Sequence, residues 1–318
     1  MAGELTWTYD MPSGTYKSHT LSNKLRYQAL REMVCMPFCK TEPGFGKHKG
    51  DTITLTRVDQ LSLPTSGQLE ETTKIPIDPL TLATTPITVS EWGRGVEYTN
   101  LAQDLSKFDP ETIIQKVLIN QQKMILDNAV ATAMRTTYMT AIPASLTSIT
   151  WEADATATAT AYANMNVGLC GIIRDYFRDT LVIPPYSGND YIGIGSTKLL
   201  RGIKSDPDFL AWRQYIRPEE VLLRSEVGTV ENIKWVETNN TTQFSNAKGS
   251  GGVLGEGVVF GDDFCVMVEV ETPELRAGIP ADGGRQKVVY WYGVLAFGLV
   301  WPTTGVAGKV KGALITSA

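Results

Sequence analysis

Two hydrophobic periods meet near residue 100 of this chain. From Asp51 to Val58, Ile, Leu and Val alternate with Thr and Arg at period two, the pattern of a half-buried strand. A returning strand is expected over residues 87–99. The span 59–86 between them carries Pro64, Gly67, Pro76, Pro79 and Pro86, which exclude a central strand and suit a flexible loop. A two-stranded ribbon of this reach has too little apolar face to be stable in water by itself. It needs another surface to lie on, which points to a subunit built for assembly rather than a self-contained enzyme.

Helical period follows at once. Asp109 and Pro110 form a helix start, because Asp accepts orphan amide hydrogens and Pro at the first helical position loses nothing. Ile113, Ile114, Val117, Leu118, Gln121, Met124, Ile125, Asn128, Ala129 and Ala133 follow the i, i+3, i+4 rhythm, so the helix is expected to reach about Met134. Ile113, Ile114, Val117, Leu118 and Ile125 are its expected core residues. At 1.5 Å per residue such a helix is about 40 Å long.

Elsewhere the pattern is plainer. Residues 1–24 read as an extended arm, residues 25–39 as a helix ended by Pro37, and the Ala/Thr-rich residues 140–163 as loop and turn. An amphipathic helix is expected from Gly168, a short buried strand over Tyr191–Gly195, a helix through Lys198, and another opening at Asp206-Pro207. Strands over 227–230 and 233–238 meet in a tight turn at Asn232. Strand-like runs at Val258, Cys265 and Val288 complete an α+β pattern.

Composition narrows the function. The 318 residues suffice for one large domain or two medium ones, and 42% hydrophobic with 20% charged residues is ordinary for a folded protein. The formal net charge of -5 argues against a dedicated nucleic-acid reader. No run approaches the roughly 20 apolar residues of a membrane span, and the N-terminus lacks the basic start and apolar core of a secretory signal; synthesis inside a cell is expected. Cys35, Cys39, Cys170 and Cys265 lack the paired spacing of a zinc site and read as buried free thiols.

Catalytic material is scarce. His19 and His48 are the only histidines, both in arm or loop segments, which leaves little for a Ser-His-Asp triad or a histidine metal centre. Gly193-Ile-Gly195-Ser-Thr-Lys198 superficially suggests a phosphate cradle, yet it fits neither the Walker spacing nor the dinucleotide fingerprint, and reads as a close-packed strand-to-helix turn. The pairs Glu70-Glu71, Glu219-Glu220 and Asp262-Asp263 are adjacent in sequence, where side chains diverge, and are expected to be solvated. No catalytic, cofactor-binding or metal-binding residues are assigned. Arg57, Glu70, Glu71, Lys74, Glu91 and Arg94 make the extended loop a mixed-sign contact surface, of the kind that fixes register with a neighbour.

The order of these pieces resembles the major capsid proteins of tailed bacteriophages with the Hong Kong ninety-seven type fold, in particular a podovirus-type family. The stretches that carry the resemblance are Leu69–Pro76, Ile87–Gly93, Asp109–Val130, Leu199–Asp206 with Trp212, and Glu226–Thr238. Each motif is soft; their colinearity over about two hundred residues is the signal. One departure is Glu70-Glu71 where the ribbon turn is often Glu-Gly. The resemblance implies an N-terminal arm (1–47), an extended β-hairpin loop (48–100), a peripheral domain with a spine helix (101–165), an axial domain (166–256), and C-terminal strands returning to the peripheral domain (257–318).

It further implies pentamers and hexamers closing into an icosahedral shell in the virion. That shell would enclose double-stranded DNA without sequence-specific binding and would mature from a procapsid assembled in the host cytoplasm. Portal and decoration proteins are implied partners; no membrane or cofactor is. With only residues 1–24 ahead of the first expected helix, a separate scaffolding protein is expected. Two rivals remain: an encapsulin-like nanocompartment shell, and a soluble α+β hydrolase using distant Asp and Glu residues.

Overall fold

The computed structural model describes residues 27–28, 30–31, 33–42, 46–61, 64, 66–69, 71, 74–153, 161–209, 228–240, 244, 255–280, 282–301 and 308–318. The chain divides into two units, Met1–Leu30 and Arg31–Ala318. The arm expected over 1–24 lies outside the described residues, and every described helix and strand belongs to the second unit.

Helix α2, Pro110–Arg135, is 26 residues long, or about 39 Å. Its start is chemical: the Asp109 carboxylate accepts the backbone N–H groups of Glu111 and Thr112, each at 3.2 Å. A short helix α1, Asn100–Leu105, precedes it, with the Thr99 hydroxyl accepting the Ala102 N–H. The buried positions of α2 are Leu118, Leu126, Asp127, Val130, Ala131 and Met134. Ile113, Ile114 and Ile125 are half-buried. Val117, expected in the core, is instead 47% exposed. The reason is angular: Val117 sits about 100° around the helix from Leu118, and it is Leu118 that meets Trp291, Val289 and Tyr98, with Ile114 and Ile125 at the margin.

Two sheets organise the rest. The four-stranded sheet runs β1 (Lys40–Thr41), β11 (Cys265–Ala277), β12 (Gln286–Leu299), β4 (Ser90–Thr99). The seven-stranded sheet runs β6 (Ser148–Ala153), β5 (Met139–Ser145), β13 (Gly312–Ser317), β10 (Gly255–Phe260), β7 (Tyr191–Ser196), β9 (Ile233–Thr238), β8 (Gly228–Val230). Strands β7, β10 and β13 are buried along their whole length, because both faces of this sheet are covered. Alternate residues serve two cores: Tyr191, Val259, Ala313 and Ile315 face one side, and Ile192, Ile194, Val258, Phe260 and Leu314 the other. The first core is closed by helices α3 (Val167–Asp175) and α4 (Thr197–Ser205) through Leu169, Ile173, Leu199 and Ile203; the second takes Val130, Ala131 and Met134 from α2. The sheet draws strands from both sides of the boundaries expected at 165/166 and 256/257.

Three local elements differ from the sequence pattern. Residues 140–163 read as loop, yet Met139–Ala153 is the β5–β6 hairpin: Met139, Thr140 and Ala141 pair in parallel with Ala313, Leu314 and Ile315. Docking on a buried strand overrides the weak local pattern of an Ala/Thr segment. The helix expected over 25–39 is absent from its described residues; Met36–Phe38 is a single 3-10 turn. There Val34, Cys35, Met36, Phe38 and Cys39 pack on the second core, and tertiary contact replaces helical bonding. The return strand expected over 87–99 is split at Val89, its first part being β3 (Leu82–Thr88). Pro86 lies inside β3, opposite Thr54 of β2 (Thr52–Val58); in a two-stranded sheet each strand keeps an open edge that tolerates proline.

Candidate assembly surface

Strands β2 and β3 pair antiparallel from Thr52↔Thr88 to Val58↔Leu82 and form a separate two-stranded sheet. Their faces differ as period two requires. Ile53, Leu55 and Ile87 pack on Val266, Val268, Ala296, Val300 and Trp301, and the Thr85 hydroxyl donates to the Val300 carbonyl at 3.1 Å. Gly298 permits the approach: a Cβ there would stand 2.8 Å from Ile87 Cδ1. The ribbon base is therefore fastened to its own subunit, which supplies part of the surface the ribbon was expected to find on another molecule. No third strand joins it among the described residues.

What remains open is the far part of the loop. Val58, Leu61, Leu69, Ile75, Leu80 and Leu82 are each more than half exposed, and Ile77 is 83% exposed. Among the described residues, seven large apolar side chains between residues 58 and 82 are left in water, a condition that favours burial against another molecule.

The charged positions expected to form one contact surface do not stay together. Arg57 belongs to the docked face: its guanidinium lies 4.7 Å from the Trp301 ring centroid and donates to the Thr84 carbonyl at 3.4 Å. Glu71 and Lys74 are exposed on the loop. Glu70 lies outside the described residues. Glu91 and Arg94 do not share the ribbon at all; they are exposed on β4, in register with Val294 and Trp291 of the four-stranded sheet.

Where β2 and β3 run into the loop a cavity of about 570 Å³ is lined by Asp59, Asp78, Trp301, Lys309 and Lys311, among others. Lys309 Nζ donates to Asp59 Oδ2 at 2.6 Å, tying the residue that follows β2 to the approach to β13. Burial pushes the Lys311 ammonium below the usual lysine range, against the opposing pull of Asp263 and Asp262.

Several structural residues escaped the sequence reading. Asp127 is buried in α2 and accepts the N–H groups of Cys35 and Met36 through Oδ1. Glu256, fully buried on β10, lies 3.1 Å from Arg135 at the end of α2. A carboxylate in an apolar helical stretch, Leu126-Asp127-Asn128-Ala129-Val130, was the available signal for the first. Cys39 Sγ stands 2.8 Å from Cys265 Sγ, a pairing that no spacing in sequence betrays. Cys35, Cys170 and Cys265 are buried and Cys39 half-buried, all four as free thiols.

The expected close-packed turn at Gly193–Lys198 is what the structure has. A Cβ on Gly193 would stand 2.6 Å from the Trp235 ring, and one on Gly195 3.1 Å from Leu199. The Ser196 hydroxyl accepts the N–H of Leu199 at 3.4 Å and of Glu256 at 3.2 Å. Side chains and backbone fill the space a phosphate would need.

No protein-family model matches this sequence, and no curated protein matches it. Solved structures do. A capsid structure of Helicobacter pylori bacteriophage KHP30 superposes with a TM-score of 0.69 at 13% identity, covering 99% of each chain. The cyanophage Pam1 capsid asymmetric unit gives 0.68 at 14% identity, covering 98% of this chain and 100% of that one. The capsid of Ralstonia phage GP4 gives 0.63 at 12% identity, covering 98% and 99%. The chain thus has the α+β fold of these phage capsid chains, the Hong Kong ninety-seven type, as the resemblance in sequence implied.

Proposed function

We propose that this chain is the major capsid protein of a tailed phage, a structural and not an enzymatic subunit. The observation that carries the reading is the end-to-end match to phage capsid chains, with coverage of 98% or more on both sides for the KHP30, Pam1 and GP4 structures. The exposed apolar loop supports it, since a subunit of a closed shell has sister copies to cover such a surface.

In this reading β2, β3 and the segment between them belong to the extended β-hairpin loop (48–100), α2 is the spine of the peripheral domain, and residues 166–256 form the axial domain. Subunits gather as pentamers and hexamers, with Glu71 and Lys74 setting the register between neighbours. The shell encloses double-stranded DNA, and a net charge of -5 per subunit suits a container whose cargo is neutralised by its own counterions. A separate scaffolding protein, a portal and decoration proteins complete the particle, which assembles in the host cytoplasm and ends as the virion. Negative-stain microscopy of the expressed protein tests this: ring-shaped capsomers or irregular assemblies are expected without the scaffolding protein, and dispersed single subunits at high concentration would refute it.

A further inference from the structure

We propose that Cys39 and Cys265 form a redox clasp, in which a disulfide made by exchange with a small disulfide of the glutathione class fastens β1 to the four-stranded sheet. The two sulfurs are already in contact at 2.8 Å. The parallel register Lys40↔Val266 and Thr41↔Met267, continued back by one residue, sets Cys39 beside Cys265. Neighbouring strands lie about 4.8 Å apart, inside the roughly 4.4–6.8 Å between Cα atoms that a disulfide spans. The other thiols stand apart from this pair in role: Cys170 is a core residue of α3, and Cys35 donates its backbone N–H to the Asp127 carboxylate.

The position gives the bond a consequence. Strand β1 has only two residues, and beyond its ladder it is held by the Glu42 N–H to the Met267 carbonyl at 2.9 Å and by the Lys40–Asp262 ion pair. A covalent link closing the chain across 226 residues adds a bond that holds this attachment until it is reduced. Cys39, the more exposed of the two, attacks first: its thiolate displaces one glutathione thiolate and forms a mixed disulfide. Cys265 then displaces the second glutathione, each thiol losing its proton. Two protein thiols are oxidised and one glutathione disulfide is reduced to two thiols. Contact with Cys265 and burial hold the Cys39 thiol well above the usual range, so exchange is slow and must be run to equilibrium.

The test equilibrates the full chain in glutathione buffers from reducing to oxidising, then denatures, alkylates and weighs it. At the oxidising end two of the four thiols are expected to resist alkylation, to map to the peptides holding Cys39 and Cys265, and to return with dithiothreitol. Cys35→Ser and Cys170→Ser keep this behaviour; Cys39→Ser and Cys265→Ser abolish it. The oxidised chain is expected to melt higher than the reduced one, with no such gap in the last two variants. Four alkylatable thiols at the oxidising end, a bridge mapped to another pair or between two chains, or an oxidised form that melts no higher would each overturn the proposal.

Discussion

The Asp127 carboxylate accepts the backbone N–H of Cys35 at 2.8 Å across 92 residues of sequence, with the Met36 N–H on the same oxygen at 3.1 Å. A buried side-chain acceptor on α2 thereby replaces the helical bonding that the apolar pattern around Cys35 suggests. It joins the segment before β1 to the helix that runs under the sheets.

Asp127→Ala removes that acceptor and strands two amide donors in a buried place. Unmade buried hydrogen bonds cost about 1–3 kcal/mol each, so the midpoint of urea unfolding should fall clearly. Hydrogen exchange at Cys35 and Met36 should accelerate before that of the β10 amides. Unchanged exchange at these two amides would show that the carboxylate does not hold them.

Leu118 and Val117 are neighbours with opposite fates. Leu118→Ala empties a fully buried site against Trp291 and should destabilise by about 2–5 kcal/mol. Val117→Asp, on the exposed side, should stay within about 0.5 kcal/mol. Denaturant unfolding of the isolated subunit measures both, and equal losses would mean the helix is rotated from the orientation described.

Gly193→Ala forces a methyl to within 2.6 Å of the Trp235 ring in a strand with no exposed residue. Overpacking of this sort costs about 1–3 kcal/mol. Gly46→Ala, with nothing within 4 Å of the added carbon, is the control and should melt as the parent does.

The Asp109 cap makes a pH-dependent contribution. The Thr112 hydroxyl, 2.6 Å from Oδ2, and then the backbone N–H groups of Thr112 and Glu111 hold its carboxyl below the ordinary 3.8. A depressed folded-state value means that the stabilisation is fully present above the unfolded value and is lost as pH falls through the folded one. Asp109→Ala should therefore melt below the parent at pH 6, and the gap should close as pH drops below 3.8 and through the depressed folded-state value. A gap independent of pH would show that ionisation of this carboxylate contributes nothing.

Sequence reading succeeded where local chemistry decides structure and failed where a distant partner does. Asp109-Pro110 sets the start of α2 by itself, and the Glu231-Asn232 turn between β8 and β9 needs only two residues that accept positive φ, here 49° and 59°. The β5–β6 hairpin depends on β13, some 170 positions later in the chain, and the turn at Met36 depends on Asp127; neither partner is visible in a window of local sequence. Val117 illustrates the resolution of a periodic pattern, which locates an apolar stripe but not which flank of it meets the sheet. The exposed loop was legible as a segment that needs another surface. That its base is already docked through Ile53, Leu55 and Ile87 required the register of β2 on β3 and the gap left by Gly298.

Sedimentation of the full chain beside an Ile75→Asp, Ile77→Asp double variant, at rising concentration, tests most directly whether sister copies cover the loop. Both side chains are exposed in the single subunit, so the variant should fold and melt like the parent. The parent should sediment as large assemblies and the variant as single subunits. A parent that stays a single subunit throughout, or a variant that assembles equally well, would contradict the account.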